Sequence, residues 1–166
     1  MAFNSGSPAQ PDYELLARQI KALTAGEPHW LPTLSNAAAL LWESLDRINW
    51  AGFYLVDAGG DLVLGPFQGK IACIRIKPGR GVCGTALQTG SPQLVPDVHA
   101  FPGHIACESA SNSEAVVPLH AAGRVIGVLD VDSPQLERFS PADLAGLESY
   151  ARAIEEAADF KGLPLA

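Results

Sequence analysis

Apolar positions along the chain recur first at helical spacing, then at the spacing of strands, then at helical spacing again. From Asp12 to Gly26, Tyr13, Leu15, Leu16, Ile20 and Leu23 mark one helical face, and Gly26 with Pro28 ends the run. A second helical stretch begins at Pro32 and continues to about Arg47, with Leu34, Ala38, Leu41, Leu45 and Ile48 on one side. The period then drops to two. Asn49 to Asp57 (NWAGFYLVD) alternates around aromatic and β-branched residues, Gly59-Gly60 supplies a turn and Asp61 to Leu64 returns, which predicts a hairpin. Lys70 to Lys77 (KIACIRIK) sets Ile71, Cys73, Arg75 and Lys77 against Ala72, Ile74 and Ile76 and predicts another strand. The glycines from Gly79 to Gly90 surround Val82-Cys83 and predict a tight turn into a short helix. Gln93 to Val95 reads as a short strand. His99 to Ser113 has no periodicity and is a long polar loop, a kind of segment that is usually functional or disordered. Glu114 to His120 and Arg124 to Asp132 form a second hairpin across Ala121-Ala122-Gly123, and Ser140-Pro141 starts a terminal helix that reaches Phe160.

Helices grouped at the two ends around a mostly antiparallel central sheet give an α+β fold rather than a doubly wound one. The expected layout is a flexible N-terminal arm over 1–11, a single domain over 12–160 and a C-terminal tail over 161–166. A chain of 166 residues is long enough to bury a proper core. Lys and Arg number 11 against 18 Asp and Glu, a net charge of −7. That balance argues against nucleic-acid or anionic-membrane partners, both of which demand concentrated positive charge. No apolar run approaches a membrane span, and the N-terminus has neither the basic nor the apolar region of a secretory signal. The expected compartment is the cytoplasm.

The chain has 3 cysteines, Cys73, Cys83 and Cys107, all gathered between the first hairpin and the second. In a reducing compartment they do not make a structural disulfide framework. Their wide spacing, with no C-x2-4-C pair, is unlike a zinc site even with His99 or His104 as a fourth ligand, so no metal and no cofactor is expected. A Cys–His hydrolase built on His104 and Cys107 is a second reading, although such partners are normally distant in sequence. Thiol redox chemistry, in which an oxidised thiolate is resolved by another cysteine, suits three thiols best. Cys83 is expected near a helix start with Arg80 close by, which would make it an acidic thiol. Cys107 lies in the irregular loop. Cys73 is as compatible with a small core residue as with function.

Carboxylates form a second group. Glu114 opens a strand, and VLDVDS places Asp130 and Asp132 on one face of another, because side chains i and i+2 point together. Two carboxylates at the end of so apolar a strand are costly unless they meet a cation, or they are simply solvated. Trp50, Phe53 and Tyr54 either wall a pocket or fill the core.

The stretches NWAGFYLVD, GPFQGKIACIRIKPGRGVCGTA, LVPDVHAFPGHIACES, SEAVVPL and VIGVLDVDSP, in that order, resemble the free methionine-(R)-sulfoxide reductases, stand-alone GAF-domain enzymes. The resemblance runs from about Asn49 to Phe139. It implies a GAF-like fold and reduction of the R epimer of free methionine sulfoxide, with thioredoxin as final reductant. It also implies catalytic roles for Cys107, Cys73 and Cys83, and substrate-binding roles for Trp50, Tyr54, Glu114, Asp130 and Asp132. Cys107 is the expected first attacker, and either Cys73 or Cys83 the resolver. A homodimer is compatible with the terminal helices. The alternative is a non-enzymatic GAF module that binds a small ligand and signals, since fold does not imply function.

Overall fold

Asp12 begins the first helix: its carboxylate accepts from the Leu15 N–H at 2.9 Å ahead of α1 (Tyr13–Leu23). The computed structural model describes residues 10–103 and 110–163. Helix α2 (Trp30–Ser44) starts earlier than Pro32, because His29 Nδ1 caps it by accepting from the Leu31 N–H, and Pro32 fits the unbonded first turn. Strands β1 (Trp50–Val56) and β2 (Leu62–Gly69) form the first hairpin. β2 runs beyond Leu64 because a bulge absorbs Gly65-Pro66: Tyr54 faces Leu64 while Gly52 faces Phe67.

The strand expected over Lys70 to Lys77 shrinks to β3 (Arg75–Ile76), which pairs with Leu62 and Val63 of β2. The apparent alternation misleads because Ile71 and Ile74 are 90% and 75% exposed and bury nothing. Helix α3 (Gly81–Thr89) follows and ends on Gly90 in the left-handed region. After β4 (Gln93–Val95) a single 3-10 turn covers Val98–Ala100. Strands β5 (Ser113–Ala121) and β6 (Arg124–Ser133) make the second hairpin, where Ala122 and Gly123 both have positive φ, as a type I′ turn requires. Helix α4 (Pro141–Ala157) is started by a Ser140–Asp143 capping box with Pro141 in the first turn.

The strands form one sheet in the order β3-β2-β1-β6-β5-β4, and each neighbouring pair is antiparallel. Register sorts the three central strands into two faces. Phe53, Leu129 and Val117 lie side by side on one face, as do Ala51, Val131 and Ala115. That face packs against α1, α2 and α4 through Ile20, Leu34, Leu41, Leu147, Tyr150 and Ile154. One buried charge group belongs to this side: Arg138 bonds Asp46 and sits 3.7 Å from Asp143, which also accepts from the Tyr13 hydroxyl. The opposite face gathers Trp50, Tyr54, Val116 and Val128 with Val82, Cys83 and Ala86 of α3. Among the described residues no helix is long and apolar enough to cross a membrane.

Candidate active site

The period of two that buries Phe53 turns Trp50 and Tyr54 to the other face, so they are not part of the main core. Trp50, Asp132 and Glu114 lie side by side across β1, β6 and β5; the next row on that face is Gly52, Asp130 and Val116. Three carboxylates therefore converge from two strands, and α3 lays Cys83 against them. Cys83 Sγ donates to Glu114 Oε1 at 3.8 Å, and sulfur, Glu114 and Asp130 place ligand atoms within 4.8 Å of one another. Glu114 and Asp130 are 8% and 6% exposed, while Asp132 is half-buried. Asp130 Oδ1 is buried with no hydrogen-bond partner.

Burial dominates the electrostatics. It pushes the Asp130 carboxyl up to about 6, against hydrogen bonds from Cys83 and Glu114 that pull the other way. Glu114 rises well above the usual carboxylic range through burial first and then the charges of Asp130 and Asp132. The Cys83 thiol also rises, through burial and then the charges of Asp130, Glu114 and Asp132. This corrects the expectation of an acidic Cys83. The thiol does sit in the first turn of α3, but desolvation and three carboxylates outweigh the helix N-terminus. The three donor atoms lie close enough to share a cation, and the unpaired carboxylate oxygen suits a small hydrogen-bond-donating one.

Aromatic rings form the adjoining wall. Trp50 stacks on Phe67 at a centroid distance of 5.2 Å and on Tyr54 at 5.8 Å. Phe67 was missed by sequence reasoning, although the β2 segment GPFQG carried the signal; Gly65-Pro66 looked like a strand end. Gly52 explains why the ring fits, since a Cβ there would lie 2.3 Å from Phe67 Cβ. Two of these rings also hold the chain above them. Trp50 Nε1 donates to the Lys70 carbonyl at 3.2 Å, and the Tyr54 hydroxyl donates to the Cys73 carbonyl at 3.0 Å. Segment 70–73 is thus held by side chains of the wall, and the backbone ladder begins where the Ile74 carbonyl accepts from the Leu64 N–H.

The cysteines differ in state. Cys73 is half-buried and disulfide-bonded, whereas Cys83 is buried and free. Cys107 and His104 lie outside the described residues. The flanks of that stretch are anchored beside the cluster: Gly103 accepts from the Gly81 N–H at 3.2 Å, and Ser111 Oγ accepts from Asn49 Nδ2 at 3.2 Å. His99 Nε2 lies 2.9 Å from Asn112 Oδ1.

A model of the GAF domain matches residues 33–159. The free methionine-R-sulfoxide reductase of Escherichia coli is 54% identical over 144 residues, covering 87% of this chain and 87% of that protein. The protein of the same name from Saccharomyces cerevisiae is 44% identical and covers 89% of this chain and 86% of its own length. In three dimensions the Neisseria meningitidis free methionine-R-sulfoxide reductase, solved in complex with its substrate, superposes with a TM-score of 0.84 at 48% identity, covering 87% of each chain. With the GAF sheet, the three carboxylates and these likenesses together, the chain belongs to the free methionine-(R)-sulfoxide reductase family of GAF-domain proteins.

Proposed function

We propose that the protein reduces free L-methionine (R)-S-oxide to L-methionine through a cysteine relay recycled by thioredoxin in the cytoplasm. The observation that carries this reading is the unpartnered, buried Asp130 oxygen beside Glu114, walled by Trp50 and Tyr54. An amino-acid ammonium supplies a counter-charge to the unpartnered Asp130 oxygen, with Asp132 on the same face, and the aromatic wall packs the methylthio end. The carboxylates also account for a preference for the free amino acid. A peptide nitrogen brings no charge to a buried carboxylate and leaves it uncompensated.

The relay begins with Cys107. Its thiolate attacks the sulfoxide sulfur; the S–O bond breaks, oxygen passes to Cys107 as a sulfenic acid and methionine leaves. Glu114, held protonated by burial and by its acidic neighbours, is the acid nearest in character to the departing oxygen's need. Cys73 then condenses with the sulfenic acid, releasing water and forming the disulfide, which a dithiol reduces by exchange. Support for Cys73 over Cys83 as resolver is that Cys73 is disulfide-bonded while Cys83 is free and its thiol is pushed up. With 3 cysteines in the chain, Cys107 is the partner this proposal assigns to Cys73.

The test is a single-turnover assay on pre-reduced protein with no external reductant. Wild type and Cys73→Ser are expected to release about one equivalent of methionine, and Cys107→Ser none. If the burst survives in Cys107→Ser, the attacker is misassigned. N-acetylmethionine sulfoxide is expected to be turned over at least tenfold less efficiently, as a neutral amide gains nothing from the carboxylates. Absence of NADPH consumption with thioredoxin, its reductase and racemic methionine sulfoxide would return the protein to the sensor reading. A homodimer belongs to the same proposal, checked by light scattering.

A further inference from the structure

Ile71 and Ile74 are the two most exposed large apolar side chains among the described residues, and they stand on either side of Cys73 in sequence. Fully burying such a side chain is worth about 1.5–3 kcal/mol. Leaving two of them in water next to a disulfide is not explained by folding. Cys73 and Ala72 pack downward against Trp50 and its neighbours, so the segment is two-sided: small residues inward, isoleucines outward. The carbonyls of Lys70 and Cys73 are pinned from below by Trp50 and Tyr54, which presents the isoleucines on a fixed support. Charge marks the same place. Residues 70–80 contain Lys70, Arg75, Lys77 and Arg80 and no acid, in a chain whose net charge is −7, although Arg75 and Lys77 pair with Asp57 and Asp61 of the first hairpin.

We propose that Ile71 and Ile74 form the docking platform for the reductant, a dithiol oxidoreductase of the thioredoxin type with apolar surface around its dithiol and net negative charge. This rests on the disulfide relay proposed above. Cys73 is half-buried and stands between the two isoleucines in sequence, so the proposal directs attack to its sulfur. One reductant thiolate bonds to Cys73 Sγ and the partner cysteine leaves as thiolate. The second reductant thiol then displaces Cys73, so two electrons pass from dithiol to disulfide and both cysteines of the protein end reduced. The apolar pair supplies the contact area, and the excess of four bases over Asp57 and Asp61 around it favours an acidic partner.

The experiment follows reduction of the oxidised protein, without methionine sulfoxide, by thioredoxin and separately by dithiothreitol. In the double variant Ile71→Ser with Ile74→Ser, the second-order rate with thioredoxin should fall about tenfold while that with dithiothreitol stays within twofold. An unchanged thioredoxin rate overturns the platform, and so does an equal loss with both reductants, which would reflect altered access to the disulfide instead. Turnover of methionine sulfoxide by wild type with dithiothreitol is read separately. Its absence would refute the reductase reading and leave the comparison of the two reduction rates intact.

Discussion

Two buried charge groups sit on opposite sides of one sheet, and they are built on opposite logic. On the helical side, Asp143 is met by Arg138 and by the Tyr13 hydroxyl, and Arg138 is met again by Asp46. On the other side, Glu114 and Asp130 are buried against each other and against a thiol, and one Asp130 oxygen has no partner. A buried pair that satisfies its own charges holds a fold together; removing one member leaves the other uncompensated. A cluster of buried acidic groups disfavours the folded state and stands ready for a cation from outside. The Arg138 group comes from helices and loops, whereas the acidic cluster comes from β5 and β6, whose alternate residues face opposite ways. Leu129 belongs to one economy and Asp130, its neighbour in sequence, to the other.

Substitutions at those two neighbours should separate the faces most sharply. Leu129→Ala should lose about 2–5 kcal/mol in urea unfolding, with kcat/KM per folded molecule nearly unchanged. An activity loss beyond the loss of folded protein would mean that the faces are coupled. Asp130→Asn should do the reverse, lowering kcat/KM for free methionine sulfoxide roughly 100-fold. Its stability should rise at pH 7.5 by on the order of 1–3 kcal/mol. The sign follows from the carboxyl being raised from 3.8 to about 6 in the folded protein. The folded state binds that proton more tightly, so the contribution is full at acid pH and is lost as pH rises through about 6. The gain in Asp130→Asn should accordingly vanish below about pH 4. Substrate KM in wild type should climb as pH falls below about 6, when Asp130 loses its charge. A destabilised Asp130→Asn at pH 7.5 would show the carboxylate to be structural.

Phe67→Ala removes the ring stacked on Trp50 and should weaken substrate binding about tenfold, seen as a higher KM. Cys83→Ala should have the smallest effect, within about 1 kcal/mol in stability, with thioredoxin-dependent turnover retained. Loss of turnover there would place Cys83 in the relay and reverse the preference for Cys73.

Helices and hairpins were legible because their signals are local: Asp12 and Ser140 as caps, alternation through NWAGFYLVD, and Ala122-Gly123 as a turn. Lys70 to Lys77 was misread for an equally local reason. Its isoleucines alternate as strand residues do, but the pattern faces solvent, and pattern alone does not say what lies opposite. Cys83 shows a different kind of limit. The helix start was visible in sequence, whereas the carboxylates that reverse its effect arrive from β5 and β6, and only register brings them there. The role of Phe67 needed the bulge at Gly65-Pro66, which no periodicity announces.

The hydrogen bonds from Trp50 to the Lys70 carbonyl and from Tyr54 to the Cys73 carbonyl make one pair of rings both the wall of the pocket and the support of the disulfide segment. Redox state and occupancy then share a thermodynamic cycle. By whatever factor closing the disulfide changes affinity for a bound amino acid, that amino acid must change the reduction equilibrium of the disulfide by the same factor. A protein wired in this way sheds its product as it becomes oxidised if the closed form binds more weakly, and the reductant is then met by an empty pocket.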